Sequence, residues 1–182
     1  MRSTAIILAA GSGKRFSSKK KKQFVELFDK PLLYYSLKAF IESKADEIIV
    51  VTSKDDIDFV REDIVKKYGF SKVTSIVEGG TERYDSVYNG LKVCCGDICL
   101  IHDSARAMIS VELINRCIEE TFKYGAVVPV VAPKDTIRVR DGEFGGETID
   151  RNKLCIIQTP QCFDIALIKS AFESLYKTDY KT

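Results

Sequence analysis

Continuous apolar runs alternate along the chain with stretches in which apolar residues recur every three or four positions. The run Ala5-Ile6-Ile7-Leu8 reads as a buried strand, because a strand covered on both faces has no polar positions to alternate with. Residues 47–52, 73–77, 97–101, 126–131 and 155–159 read as further strands. Between them, helical spacing joins Leu33, Leu37, Phe40 and Ile41, then Ile57, Val60, Ile64 and Tyr68, then Val87, Gly90 and Leu91. Ile114, Cys117, Ile118 and Phe122 mark a fourth helix, and Ile168, Ala171, Phe172 and Leu175 a fifth. Lys30-Pro31 opens the first helix, where a missing N–H costs nothing, and Gly69 stops the second. The rhythm breaks once. Residues 136–154 are polar and hold Gly142, Gly145 and Gly146 between alternating segments, which predicts a β-hairpin arm.

Strands alternating with helices imply an α/β fold with parallel pairing and right-handed crossovers. Ligands of such sheets bind beyond the C-terminal ends of the strands. Three segments fall there: 9–15, 78–86 and 102–106. The 182 residues suffice for one domain with a sizeable core, and no repeat or linker divides them.

Composition narrows the class. Hydrophobic content of 45% beside 30% charged residues describes a soluble globular chain without a membrane-spanning run. A net charge of +2 gives no electrostatic case for a nucleic-acid partner. Met1-Arg2-Ser3-Thr4 is too short for a targeting peptide, so the expectation is a cytoplasmic protein. The six cysteines, at 94, 95, 99, 117, 155 and 162, lack paired Cys-x-x-Cys spacing, and His102 is the single histidine. They read as reduced, mostly buried thiols rather than zinc ligands.

The first strand turns abruptly into Ala9-Ala10-Gly11-Ser12-Gly13-Lys14-Arg15, with Lys22-Gln23 behind it. Small side chains let a ligand approach the backbone, and glycines let successive N–H groups face one anion. Arg15 and Lys22 add full charges suited to a polyphosphate. The spacing matches neither a Walker loop nor a dinucleotide fingerprint. A glycine turn beside a solvated basic patch has the same local sequence. A second turn, Gly79-Gly80-Thr81-Glu82-Arg83-Tyr84-Asp85-Ser86, offers backbone groups and a hydroxyl, from Gly80, Thr81 and Ser86, to the edge of a pyrimidine. A glycine turn followed by a helix cap reads equally from those residues. In His102-Asp103-Ser104-Ala105-Arg106, a carboxylate at a strand end can hold Mg²⁺ or a sugar hydroxyl, and Arg106 a phosphate oxygen.

Taken together and in this order, Leu8 to Arg15, Lys22-Gln23 and Lys30-Pro31-Leu32-Leu33 resemble the signature of nucleotidyltransferases that activate small phosphorylated molecules. The later stretches extend the resemblance to the cytidylyltransferases of the non-mevalonate isoprenoid route, which join CTP and 2-C-methyl-D-erythritol 4-phosphate. These stretches are residues 79–87, 102–106, Ala132-Pro133-Lys134-Asp135-Thr136-Ile137, Glu147-Thr148-Ile149-Asp150-Arg151 and Gln158-Thr159-Pro160-Gln161.

The resemblance implies a Rossmann-like nucleotidyltransferase three-layer sandwich over residues 1–182, with a mostly parallel sheet and a protruding arm that pairs two subunits. It implies Mg²⁺ as cofactor and a homodimer, with neither nucleic acid nor membrane as partner. It places Arg15 and Lys22 at the α-phosphate of CTP. Ala9, Ala10, Gly11, Gly13, Gly80, Thr81, Ser86, Asp103 and Ser104 surround the nucleotide. Asp103, Arg106, Thr136, Arg151 and Thr159 meet the second substrate, and Asp103 the metal. His102 is structural on this reading, because the attacking phosphate is already ionised and needs no base. The chain departs from the family at Thr81, where an acid is usual, at Ser104, where alanine is usual, and at Ala107, where proline is usual. The family pattern continues past Thr178-Asp179 into a last strand and helix with an Asn-x-Lys motif, which this sequence, ending at Thr182, does not include. A cytidylyltransferase for ribitol 5-phosphate or another alcohol phosphate, and a truncated nucleotide-binding form with little activity, are the rival readings; the arm residues 148–151 favour methylerythritol phosphate over ribitol phosphate.

Overall fold

The computed structural model describes residues 1–11 and 20–178. In chain order it contains β1 (Ser3–Ala9), β2 (Glu26–Leu27), β3 (Lys30–Pro31), α1 (Leu32–Glu42), β4 (Glu47–Thr52) and α2 (Ile57–Phe59), which continues as a π-helical stretch (Val60–Lys66). There follow β5 (Val73–Glu78), α3 (Arg83–Lys92), β6 (Ile98–Asp103), α4 (Val111–Tyr124), β7 (Ala126–Val127) and β8 (Val130–Val131). The last elements are β9 (Ile137–Asp141), β10 (Phe144–Ile149), β11 (Ile156–Ile157), β12 (Gln161–Asp164) and α5 (Ile165–Tyr176).

The main sheet runs β5-β4-β1-β6-β12-β7. β1 lies parallel to β4 on one side and to β6 on the other. The chain therefore winds outward from β1 through β4 to β5, then returns to place β6 on β1's other flank. That reversal opens a crevice at the C-terminal ends of β1 and β6, the usual ligand position in open α/β sheets.

Strand period sorts the core into two layers. Ala5, Ile7 and Ala9 face a cluster with Leu33, Leu37 and Phe40 of α1, Val60 and Ile64, and Ile114 and Ile118 of α4. Ile6 faces the opposite cluster, with Val87 and Leu91 of α3 and Ile165 and Phe172 of α5. This is the expected three-layer arrangement. α3 lies close to the sheet at Gly90, where an added Cβ would sit 2.7 Å from Ile6 Cγ2.

Three expectations need correction. Residues 126–131 are not one strand: β7 pairs with β12 in the main sheet, while β8 pairs with β11 in a separate ribbon. Pro129 lies between the two pieces; proline supplies no N–H and interrupts a ladder. Only Ile156–Ile157 of residues 155–159 is strand, and it belongs to that ribbon. The strand that joins the main sheet instead is β12, antiparallel to both β6 and β7. At the start of α1, Pro31 is the N-cap and closes the small β2–β3 hairpin, so the helix begins at Leu32. The arm forms as expected, with β9 antiparallel to β10.

Candidate active site

β1 ends where Gln23 meets it. This side chain, 4% exposed, donates from Nε2 to the Ala9 carbonyl at 2.6 Å and to the Gly11 carbonyl at 3.1 Å. Gln23 thereby fixes the chain's path where the strand gives way to the glycines. Lys21 ties the same turn to the end of β4, donating to Ser53 Oγ at 2.7 Å and pairing with Asp56. Lys22 is exposed and has no side-chain hydrogen bond or ion pair among the described residues. Gly13, Lys14 and Arg15 lie outside the described residues. Gln23→Leu would remove the donor shared by two carbonyls, leaving Ala9 with the long bond from Thr52 Oγ1 at 3.5 Å. A loss of about 1–3 kcal/mol of stability is expected in urea denaturation; an unchanged midpoint would show that the clamp contributes nothing to the fold.

The second turn packs against Ala10, the residue after β1. Gly79 donates to the Thr52 carbonyl at 2.8 Å, and Gly80 donates to Ser86 Oγ at 3.0 Å. A Cβ on Gly79 would lie 2.5 Å from Ala10 Cβ and 2.9 Å from Ser86 Oγ. Ser86 is 5% exposed and its oxygen braces the turn, while Thr81 is open to solvent. Glu82 and Asp85 form a capping box at the start of α3.

The third loop leaves β6. Asp103 Oδ1 accepts from Arg83 Nε at 3.1 Å and from the same guanidinium's NH2 at 3.0 Å. Asp103 Oδ2 lies 3.6 Å from Arg106 Nε. Arg83 also donates to Gln161 Oε1 at 3.3 Å, and Arg106 donates to Gln158 Oε1. Ser104 is buried; its N–H donates to the Leu8 carbonyl at 3.0 Å and its carbonyl accepts from Ser36 Oγ at 2.9 Å. Gln23, Arg83, Gln158 and Gln161 carry contacts at this site to which the sequence reading gave no role. One signal for Arg83 is its place at the first residue of α3, where the helix dipole disfavours a cation.

His102 is fully buried, and its Nδ1 lies 2.9 Å from Thr159 Oγ1. The same hydroxyl lies 3.4 Å from the Asp103 N–H, which it accepts. Burial pushes the imidazole down from its ordinary 6.5 to about 4. The unfolded chain therefore binds this proton more readily between those values. Its contribution to stability is complete above pH 6.5 and falls as pH drops toward 4, by about 3 kcal/mol in total. Urea midpoints across this window should flatten in His102→Gln; an identical slope in the variant would assign the acid sensitivity to other groups.

The remaining expected site residues, Thr136 and Arg151, sit beside the arm. Thr136 is exposed before β9, and Arg151 donates to the Lys134 carbonyl at 3.3 Å. Among the described residues neither is bonded to Asp103, Arg106 or Ser86. No group of three or more His, Cys, Asp or Glu side chains is gathered for a metal among the described residues. Asp103 is a single carboxylate with one oxygen held by Arg83. Mg²⁺ fits such a place as an ion held chiefly by phosphate oxygens and water, not in a protein cage. No described helix is long and apolar enough to cross a membrane.

Comparison with known proteins agrees with this geometry. Residues 3–181 match the family described as IspD: 2-C-methyl-D-erythritol 4-phosphate cytidylyltransferase. The chain is 49% identical over 175 residues to the 2-C-methyl-D-erythritol 4-phosphate cytidylyltransferase of Lachnoclostridium phytofermentans, spanning 94% of this chain and 75% of that protein. It is 45% identical over 184 residues to the protein of the same name from Clostridium botulinum, with 99% and 80% covered. Among solved structures, the 4-diphosphocytidyl-2C-methyl-D-erythritol synthase of Anaerococcus prevotii superposes with a TM-score of 0.86 at 33% identity, over 100% of this chain and 78% of that one. The 2-C-methyl-D-erythritol 4-phosphate cytidylyltransferase of Thermus thermophilus does so with a TM-score of 0.79 at 28% identity, over 100% and 80%. A mostly parallel sheet whose strand order reverses beside a glycine turn and an acid–arginine cluster, matched to these relatives over nearly its whole length, places the chain in the 2-C-methyl-D-erythritol 4-phosphate cytidylyltransferase family.

Proposed function

We propose that the chain performs its family's reaction, cytidylyl transfer to 2-C-methyl-D-erythritol 4-phosphate, in the crevice at the ends of β1, β5 and β6. The observation that carries this siting is the close approach of Gly79 to Ala10. Gly79 lies so close to Ala10 that base and phosphates of one nucleotide can lie against adjoining backbone. In the reaction, an oxygen of the second substrate's phosphate bonds to the α-phosphorus of CTP as the bond to the bridging oxygen breaks. Pyrophosphate leaves with that electron pair. Rate in such a displacement comes from positioning and from fixed charge.

Ala9, Ala10, Gly11, Gly80 and Ser86 leave room for a pyrimidine close to backbone and crowd a purine; Thr81 contributes through its backbone. Ser104 acts by fixing the loop's position, since its side chain is buried. Lys22, with Arg15 and Gly13 of the phosphate loop, steadies the α-phosphate. Asp103 holds a substrate hydroxyl or the metal, with Oδ2 its less committed oxygen. Mg²⁺, when bound, neutralises the triphosphate. Arg106 and Thr159 border the second substrate's place.

Thr136 and Arg151 act from a second subunit. In support, the ribbon residues Val130, Val131, Ile156 and Ile157 and the arm residues Val139 and Phe144 are between 45% and 80% exposed, an apolar surface suited to a second copy. Pyrophosphate release should be faster with CTP than with ATP, and with 2-C-methyl-D-erythritol 4-phosphate than with ribitol 5-phosphate. Equal rates in either pair would refute the pocket assignment. Mixed dimers of Arg151→Ala and Lys22→Ala subunits should recover activity, because one composite site stays intact. No recovery after verified subunit exchange would return Arg151 to its own subunit.

A further inference from the structure

The stretch Gln158-Thr159-Pro160-Gln161 has three polar side chains, and each grips a different residue at or beside the end of β6. Gln158 holds Arg106, Thr159 holds His102, and Gln161 holds Arg83. Arg83 is the unusual member. It comes from another layer, at the first residue of α3, where a cation opposes the helix dipole. A residue serving that helix alone would be acidic there. Its guanidinium instead spans to the sheet, with Nε and NH2 both on Asp103 Oδ1 at 3.1 and 3.0 Å and NH2 also on Gln161 at 3.3 Å. Asp103 is 35% and Arg83 49% exposed, so the pair is open to solvent on one side and contributes little to folding as a simple ion pair.

We infer that Arg83, braced by Gln161, is a positioning residue for the known reaction: it fixes the Asp103 carboxylate by Oδ1 and leaves Oδ2 as the oxygen available to substrate. The inference rests on the siting of Asp103 in the substrate crevice. A planar guanidinium that gives two N–H groups to one oxygen and a further bond to Gln161 sets a carboxylate's rotation, which a lysine's point charge cannot do. A bare carboxylate facing a triphosphate would also repel it. Arg83 on one oxygen and Arg106 beside the other leave the three-residue cluster with a net positive charge.

The test is a double-mutant cycle between Arg83→Met and Asp103→Asn, followed as kcat/KM for 2-C-methyl-D-erythritol 4-phosphate and as its affinity for the complex with a non-reactive CTP analogue. Arg83→Met should lower both about tenfold, the usual scale for a residue that orients a contacting group, with CTP affinity lowered less and the thermal midpoint unchanged. In the Asp103→Asn background it should lower neither further. Arg83→Lys should keep most of the deficit. Gln161→Leu should lower kcat/KM about threefold, and should have no effect in the Arg83→Met background; it serves as well if Arg83→Met does not fold. Additive losses from Arg83→Met and Asp103→Asn, or full rescue by lysine, would overturn the positioning role while leaving the crevice in place. If Asp103→Asn itself changes neither readout, both the role and the siting of Asp103 fail.

Discussion

Lys22→Ala is expected to lower turnover by about two to three orders of magnitude, the scale for losing one preorganised charge at a reacting phosphate. The three consecutive lysines at 20–22 make the test discriminating. Lys20 pairs with Glu26 at 2.9 Å, and Lys21 is engaged by Ser53 and Asp56 at the end of β4. Lys22 alone of Lys21 and Lys22 is open and unpaired among the described residues, and its neighbour Gln23 is bonded to the Ala9 and Gly11 carbonyls. CTP affinity should fall much less than turnover, because the glycine turns still supply backbone donors. Lys21→Ala should show the reverse pattern, a loss of about 1–2 kcal/mol of stability from a part-buried charged hydrogen bond with turnover largely kept. Steady-state kinetics and urea denaturation of the two variants decide it. Wild-type turnover in Lys22→Ala would return Lys22 to the reading of a solvated loop residue.

How much of this was legible in the sequence follows from the range of the interactions involved. β1, β4 and β6 are read directly, since each is buried from end to end or nearly so and needs an unbroken apolar run. β12 is not. Its four residues, Gln161 to Asp164, include one fully buried side chain, Cys162, and become a strand by fitting between β6 and β7. The run at 126–131 misleads for the opposite reason: its apolar content continues across Pro129, but its hydrogen bonding does not. The glycine turns are legible because close approach demands glycine locally. The web around Asp103 is not, because Arg83 meets Asp103 across 20 residues and Gln161 across 78, distances that no local spacing encodes. Motif resemblance placed the Gln-Thr-Pro-Gln stretch at the site, and only the fold shows which residue each of its side chains grips.

Gly80→Ala should cost the enzyme its nucleotide site, and Gly79→Ala nearly as much. The Cβ added at Gly80 would lie 2.2 Å from Asp85 Cβ, and at Gly79 it would lie 2.5 Å from Ala10 Cβ. Neither neighbour is the far end of a flexible chain. Asp85 belongs to the capping box of α3, and Ala10 follows directly on the buried end of β1. Relief therefore requires the turn to move away from α3 or from β1. Overpacking of this kind costs about 1–3 kcal/mol, and on the siting proposed above the displaced backbone is also the surface offered to the base. At Gly80 the shift would pull its N–H from Ser86 Oγ, which now lies 3.0 Å away. CTP affinity should drop by about one to two orders of magnitude, in proportion to that cost. Gly11→Ala is the control. A Cβ there meets no described atom within 4 Å, and its φ is not in the left-handed region. Gly11→Ala should keep the wild-type melting temperature and weaken CTP only as far as its methyl occupies ligand space. Calorimetric titration with CTP, beside thermal denaturation of the three variants, separates the cases. A Gly80→Ala protein that binds CTP like wild type would show that the second turn lies off the nucleotide.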